Sequence, residues 1–201
     1  MTSAQTKNAA GRRESRSEQA ESVNLRAQAK WEAGELRSAF RLMQTAAKLG
    51  AYAAKHNLGY FYDVGIGVKR NRNAALYWYR RAFREDNVLS ANNIGTIYRD
   101  EMKTSLALRW FHRAVARGDV DANLNIAKLY LNRLGDSRTA VSYLKHVLKA
   151  KGGIDVTIDS QEQATALLKK LHRPKPKATR SSQECLHAQT RPPQRTRPSQ
   201  R

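Results

Sequence analysis

The 201-residue sequence predicts an all-α fold: an α-solenoid of about four helix–turn–helix units closed by a C-terminal capping helix. Three observations carry this expectation. A small residue recurs at Ala39, Ala75, Ala107 and Ala140, and another position recurs seven residues later, at Ala46, Ala82, Ala114 and Val147. Both columns step by 36, 32 and 33 residues. Between them stand large apolar residues, Leu42, Trp78, Trp110 and Tyr143. Upstream of three of these segments, an aliphatic–small pair is followed by a tyrosine: Leu58-Gly59 with Tyr62, Ile94-Gly95 with Tyr98, and Ile126-Ala127 with Tyr130. Spacings of three, four and seven place such residues on one face of a helix. Recurrence at a fixed period means hairpins that bury their apolar faces against their neighbours.

The elements follow in chain order. Residues 1–17 are polar and small and are expected to be mobile. The first unit, 20–50, is degenerate; its "LRAQAKWEAG" places Ala27 twelve residues before Ala39, as Gly95 lies twelve before Ala107. Units at 51–86, 87–118 and 119–152 follow, each read as helix A, turn, helix B. Gly59 and Gly95 cost roughly 1 kcal/mol each in a helix interior. That cost is explained if a partner helix crosses so closely that a side chain would clash, with Trp78 and Trp110 as the large residues filling the neighbouring groove. "DVGIGV" reads as the turn of the second unit, four residues longer than the "RDEMKT" turn of the third. Gly65 and Gly67 permit positive φ there, and Val64, Ile66 and Val68 are expected to pin the loop. A phosphate-cradling loop is disfavoured, because no strand precedes the Gly-x-Gly and no third glycine follows at the right distance. After the linker "GGIDVTID", residues 160–172 predict the capping helix, started by Ser160 or Asp159 and carrying an apolar stripe of Ala164, Leu167, Leu168 and Leu171. Residues 173–201 hold all five prolines and eight Lys/Arg against one acid, Glu184. Such a composition cannot offset its ordering entropy and predicts a disordered basic tail.

Charge dominates the composition. The formal net charge is +20, and residues 35–172 alone carry 23 Lys/Arg against 12 acids. The basic character therefore extends beyond the tail. The one cysteine, Cys185, lies in that tail, so a disulfide framework within the chain is ruled out, which fits a reducing, cytoplasmic compartment. No apolar stretch follows the N-terminal charges as in a secretory signal, and no run approaches the 18 apolar residues of a membrane span. A transit-peptide reading of "GRRESRSEQAES" is diluted by Glu14, Glu18 and Glu21.

Residues 54–86 resemble a Sel-one-like (Sel1-like) repeat, a relative of the tetratricopeptide repeat. The resemblance rests on Leu58-Gly59, Tyr62, Gly65-x-Gly67-Val68, Ala75, Trp78-Tyr79 and Ala82. The next two units lack the Gly-x-Gly-Val loop and are closer to plain tetratricopeptide spacing; the resemblance spans about 130 residues in all. It implies a right-handed superhelix that binds other proteins and assembles complexes without chemistry of its own.

Nothing in the residues points to catalysis, a cofactor or a metal. His56, His112, His146, His172 and His187 show no ligand spacing, and Cys185 has no ordered base to activate it. The chain is read as a monomeric, non-catalytic adaptor. In tetratricopeptide-like solenoids the ligand groove is lined by A helices. Repeat phase then points to His56, Tyr60, Asn92 and Thr96, with Arg99 and Lys128 adding charge, as residues facing a protein partner, which the excess of cations suits if acidic. Two alternatives stay open. The arginine-rich B helices, with Arg80, Arg81, Arg84, Arg109, Arg113 and Arg117, could serve nucleic acid or anionic lipid. The tail "RPPQRTRPSQR" also resembles basic C-terminal signals of exported bacterial effectors, a route that needs no signal peptide.

Overall fold

The computed structural model describes residues 3–150 and 157–172. Within them the chain is helical, without strands. Four antiparallel hairpins follow one another: α1 (Ser3–Glu32) with α2 (Leu36–Leu49), α3 (Tyr52–Val64) with α4 (Arg72–Arg84), α5 (Val88–Asp100) with α6 (Thr104–Val115), and α7 (Asp121–Leu129) with α8 (Ser137–Lys149). A π turn, Tyr130–Leu134, extends α7, and α9 (Ile158–His172) packs on the last hairpin. The odd-numbered helices are the A helices of the repeat and α2, α4, α6 and α8 the B helices. The linker residues 151–156 and the tail 173–201, with Cys185 and His187, lie outside the described residues.

The two columns of small residues are the spine of the core. Ala39, Ala75, Ala107, Ala140, Ala46, Ala82, Ala114 and Val147 are all inaccessible to solvent. Three apolar clusters run along the stack and share Tyr62, Tyr130 and Tyr143 at their borders, as expected of units stabilised by their neighbours. The all-α solenoid is therefore as the sequence predicts.

The helical glycines sit where the backbones cross. A Cβ on Gly59 would lie 2.6 Å from the Tyr79 ring, and one on Gly95 would lie 2.5 Å from the Phe111 ring. This corrects the expectation for the tryptophans. Tyr79 and Phe111, each one residue further along the chain, are fully buried against the glycines. Trp78 and Trp110 are half-buried, and Trp110 meets Phe83 of the preceding B helix edge-on at 5.4 Å.

The "DVGIGV" turn is held by backbone contact. Gly65 ends α3 at φ +92, and Gly67, at φ +66, passes so close to the start of α2 that a Cβ would lie 2.0 Å from the Leu36 carbonyl oxygen. Ile66 packs on the N-terminal cluster, whereas Val64, expected to help, is 54% exposed. The close approach of the loop is therefore to the previous hairpin.

Helix α1 is described from Ser3, within the polar stretch 1–17. Its first turns are rich in Ala, Arg, Gln and Glu, which favour helix without needing an apolar face; from Ser15 on, where burial is described, the first buried side chain is Ala20. At α9 the cap is neither Ser160 nor Asp159 but Thr157, whose hydroxyl accepts from the Ser160 N–H at 3.2 Å. Asn71, Asn87 and Asp136 cap α4, α5 and α8 in the same way. The Asp119 carboxylate accepts from the Ala122 N–H at 3.2 Å at the start of α7. Each such cap contributes about 0.5–2 kcal/mol.

Candidate partner-binding surface of the A helices

Consecutive A helices touch along the stack, α1 with α3, α5 with α7, and α7 with α9. The residues singled out by repeat phase lie on these helices, and most are tied to the next A helix. The Trp31 and Tyr60 rings meet at 6.0 Å. His56 Nδ1 lies 2.9 Å from Ser90 Oγ, and the Ser90 hydroxyl donates to Asn87 Oδ1 at 2.8 Å. Since that hydroxyl proton is committed to Asn87, His56 Nδ1 carries the proton and donates to Ser90. Asn125 Nδ2 donates to Asn92 Oδ1 at 2.9 Å, and Arg99 donates to Asn125 Oδ1 at 3.2 Å and to the Asp100 carboxylate at 3.0 Å. Lys128 Nζ donates to Gln163 Oε1 on α9 at 2.7 Å. Thr96 is half-buried on α5, while Tyr60 is 38% exposed.

Asn92, Arg99 and Lys128 thus belong to one polar ladder from α5 to α9, while His56 and Tyr60 form separate contacts nearer the N-terminus. Asn125, Gln163, Ser90 and Trp31 were missed from sequence. Asn125 carried no signal, since the 32-residue step from Ile94-Gly95 to Ile126-Ala127 puts Leu124 in the place of Asn92 and pairs Asn125 with Asn93. Gln163 carried none, because α9 is outside the repeat.

The electrostatics concentrate between α5 and α7. Arg99, Asp100, Lys128, Leu129, Asn132 and Arg133 bound a recess of about 320 Å³. Three cations there face one carboxylate. Burial lowers the Lys128 pKa from its ordinary value, and the neighbouring Arg99 charge lowers it further. An anion placed in this recess would relieve that repulsion.

His56 gives a pH test of the contact between α3 and α5. Burial holds its pKa below the ordinary 6.5. The unfolded chain therefore binds a proton near pH 6.5 that the folded chain resists. The stability associated with neutral His56 is present above that pH and is lost as the pH falls through 6.5 toward the folded value, by at most about 1.4 kcal/mol per pH unit. Urea melts between pH 8 and pH 5 are expected to show this loss in the wild type and a shallower profile in His56→Gln.

Among the described residues no group of three or more His, Cys, Asp or Glu side chains is placed to hold a metal ion, and no helix is long and apolar enough to cross a membrane. His146 and His172 bond to carbonyls of their own helices, Ser142 O at 2.9 Å and Leu168 O at 2.8 Å.

The Sel1 repeat family model matches residues 36–50, 53–87 and 94–119. Two solved structures share the fold. A Sel1 repeat protein from Oxalobacter formigenes aligns at 20% identity and a TM-score of 0.54, over 77% of this chain and 74% of its own. A protective antigen of uropathogenic Escherichia coli strains, with an SLR fold, aligns at 17% identity and a TM-score of 0.61 over 77% of this chain. The alignment spans only 34% of that antigen's length.

Proposed function

We propose that the chain, three stretches of which match the Sel1 repeat model, is a Sel1-like, non-catalytic adaptor whose A-helix surface holds an acidic segment of a partner protein. Repeats of this family generally act as scaffolds for protein–protein interaction. The observation that carries it is the excess of cations in the recess between α5 and α7, where Arg99, Lys128 and Arg133 line the wall with one acid, Asp100, and Asp159 of α9 adds a second negative charge near Lys128. A partner carboxylate there would accept charge-assisted hydrogen bonds from groups already held by Asn125 and Gln163, so little side-chain freedom is lost on binding. The A-helix side suits such a ligand because its repeats present polar side chains in register. A cytoplasmic setting is part of the same proposal.

Affinity purification with mass spectrometry at two salt concentrations tests this reading, comparing wild type with Asn92→Ala/Arg99→Ala. Partners seated on the recess are expected to be recovered by the wild type at the lower salt, to weaken at the higher salt, and to be reduced at least tenfold in the variant at the lower salt. Equal recovery of every partner by both proteins at the lower salt would remove the A-helix surface from the proposal.

A further inference from the structure

The B helices carry a charge pattern that the adaptor reading does not use. Helices α2, α4, α6 and α8 together hold twelve Lys/Arg and no Asp or Glu. The A helices α3, α5 and α7 are mixed, each with at least one acid and one base. A random scatter of surface charge would not empty all four B helices of acids while leaving their partners balanced. Ten of the twelve cations are exposed, and Arg72 and Arg80 are half-buried.

At the centre of this face, Arg80, Phe83, Arg84, Trp110, Arg113 and Arg117 bound a cleft of about 740 Å³ between α4 and α6. The arginines are arranged by aromatic rings. The Arg113 guanidinium lies 4.6 Å from the Trp110 centroid and Arg117 lies 4.2 Å from Phe83. On the neighbouring surface Arg81 sits 5.7 Å from Tyr77 and 5.5 Å from Trp78. Arg80 donates to the Tyr98 hydroxyl at 2.5 Å. Two acids adjoin the cleft, and both are engaged. Asp86 is paired with Arg117 at 2.7 Å and Glu85 with Lys55.

A guanidinium laid on a ring keeps its N–H edge free and loses little entropy when that edge binds an oxyanion. The same arrangement covers the ring faces, so unpaired bases find few stacking surfaces here. The cleft also offers no deep apolar socket to anchor a peptide side chain. What remains accessible is an extended set of donors spanning several helices, on which Asp86 already engages one edge of Arg117, and a ligand with regularly spaced negative charges and its bases turned inward matches it.

We propose that the B-helix face docks the phosphate backbone of a nucleic-acid duplex, with Arg80, Arg84, Arg113 and Arg117 at its centre. This surface is separate from the A-helix recess, so failure of either proposal leaves the other standing.

Fluorescence anisotropy with a labelled 20-base-pair DNA duplex tests it on the full chain. With about four phosphates contacted, affinity is expected to fall roughly a hundredfold between 50 and 200 mM salt. Arg84→Glu/Arg113→Glu, at two exposed positions, is expected to weaken binding at least tenfold at 50 mM salt with unchanged helical circular dichroism. Replacing every Lys and Arg of residues 173–201 by Gln is expected to weaken it less than that pair does. Absence of duplex binding at 50 mM salt overturns the proposal. So does wild-type affinity in the double variant, which would assign binding to the tail. Poly-glutamate or the single strand of the same sequence competing as well as the duplex also overturns it, in favour of an acidic protein or an unpaired strand.

Discussion

Phe111→Ala is expected to destabilise the solenoid by about 3–5 kcal/mol, the cost of emptying a fully enclosed aromatic site, whereas Trp110→Ala costs roughly half as much because that ring is only half-buried. The more informative measurement pairs Phe111 with Gly95. Gly95→Ala alone puts a methyl group 2.5 Å from the Phe111 ring. Overpacking of this kind costs about 1–3 kcal/mol, offset by about 1 kcal/mol of improved helix propensity. With Phe111 already removed the clash is gone and only the propensity gain remains. Gly95→Ala should therefore change sign, destabilising the wild type and stabilising Phe111→Ala. Thermal and urea melts followed by circular dichroism measure all four corners of the cycle. If Gly95→Ala has the same effect in both backgrounds, the glycine is not there to admit the ring.

The same pair shows where sequence reading reaches its limit. The period, the small-residue columns and the need for close approach at Gly59 and Gly95 were all legible. The identity of the opposing ring was not, and the helical wheel explains why. At 3.6 residues per turn, positions three and four after a buried alanine lie roughly 50° to either side of the line joining that alanine to the buried residue seven on. Trp78 and Tyr79 are therefore symmetric as far as periodicity goes. Only the location of the partner helices separates them: one side faces the hairpin's own A helix and the other faces the gap between hairpins. Size then misleads, because the larger tryptophan takes the roomier, half-exposed position.

The A-helix ladder was legible in part for a related reason. Repeat phase fixes which residues stand on a given side of each A helix, so Asn92 could be named, with Lys128 added for its charge. Whether they meet a partner protein or the next helix depends on reach across the gap. Asn125 to Asn92 and Lys128 to Gln163 close that gap with side-chain contacts that no intrahelical spacing encodes. Helix α1 poses a different question. A polar composition argues against a buried face but not against helix, and Ala-, Arg- and Glu-rich turns can extend from a helix that is anchored further along by Ala20 and Ala27.

Lys55 is the second site where a single change should have a large effect, and the direction depends on which partner is removed. Its side chain is 7% exposed and points from α3 to Glu85 at the end of α4, where the ammonium donates to both carboxylate oxygens. Glu85 is 43% exposed on its side-chain atoms. The pair is thus asymmetric: the cation is enclosed and the anion is open to water. Glu85→Ala leaves an ammonium in a nearly closed site without its acceptor, an expected loss of about 2–3 kcal/mol, below the full cost of breaking a wholly buried pair because water can enter from the Glu85 side. Lys55→Met leaves a carboxylate that water can solvate and replaces the stem by one of similar volume, so it should stay within about 1 kcal/mol of wild type. In the Lys55→Met background, Glu85→Ala should then cost almost nothing. Urea melts of the two single variants and the double variant measure this. Equal losses from both single changes would mean that the cation is hydrated and that α3 is fixed to α4 by its apolar face alone.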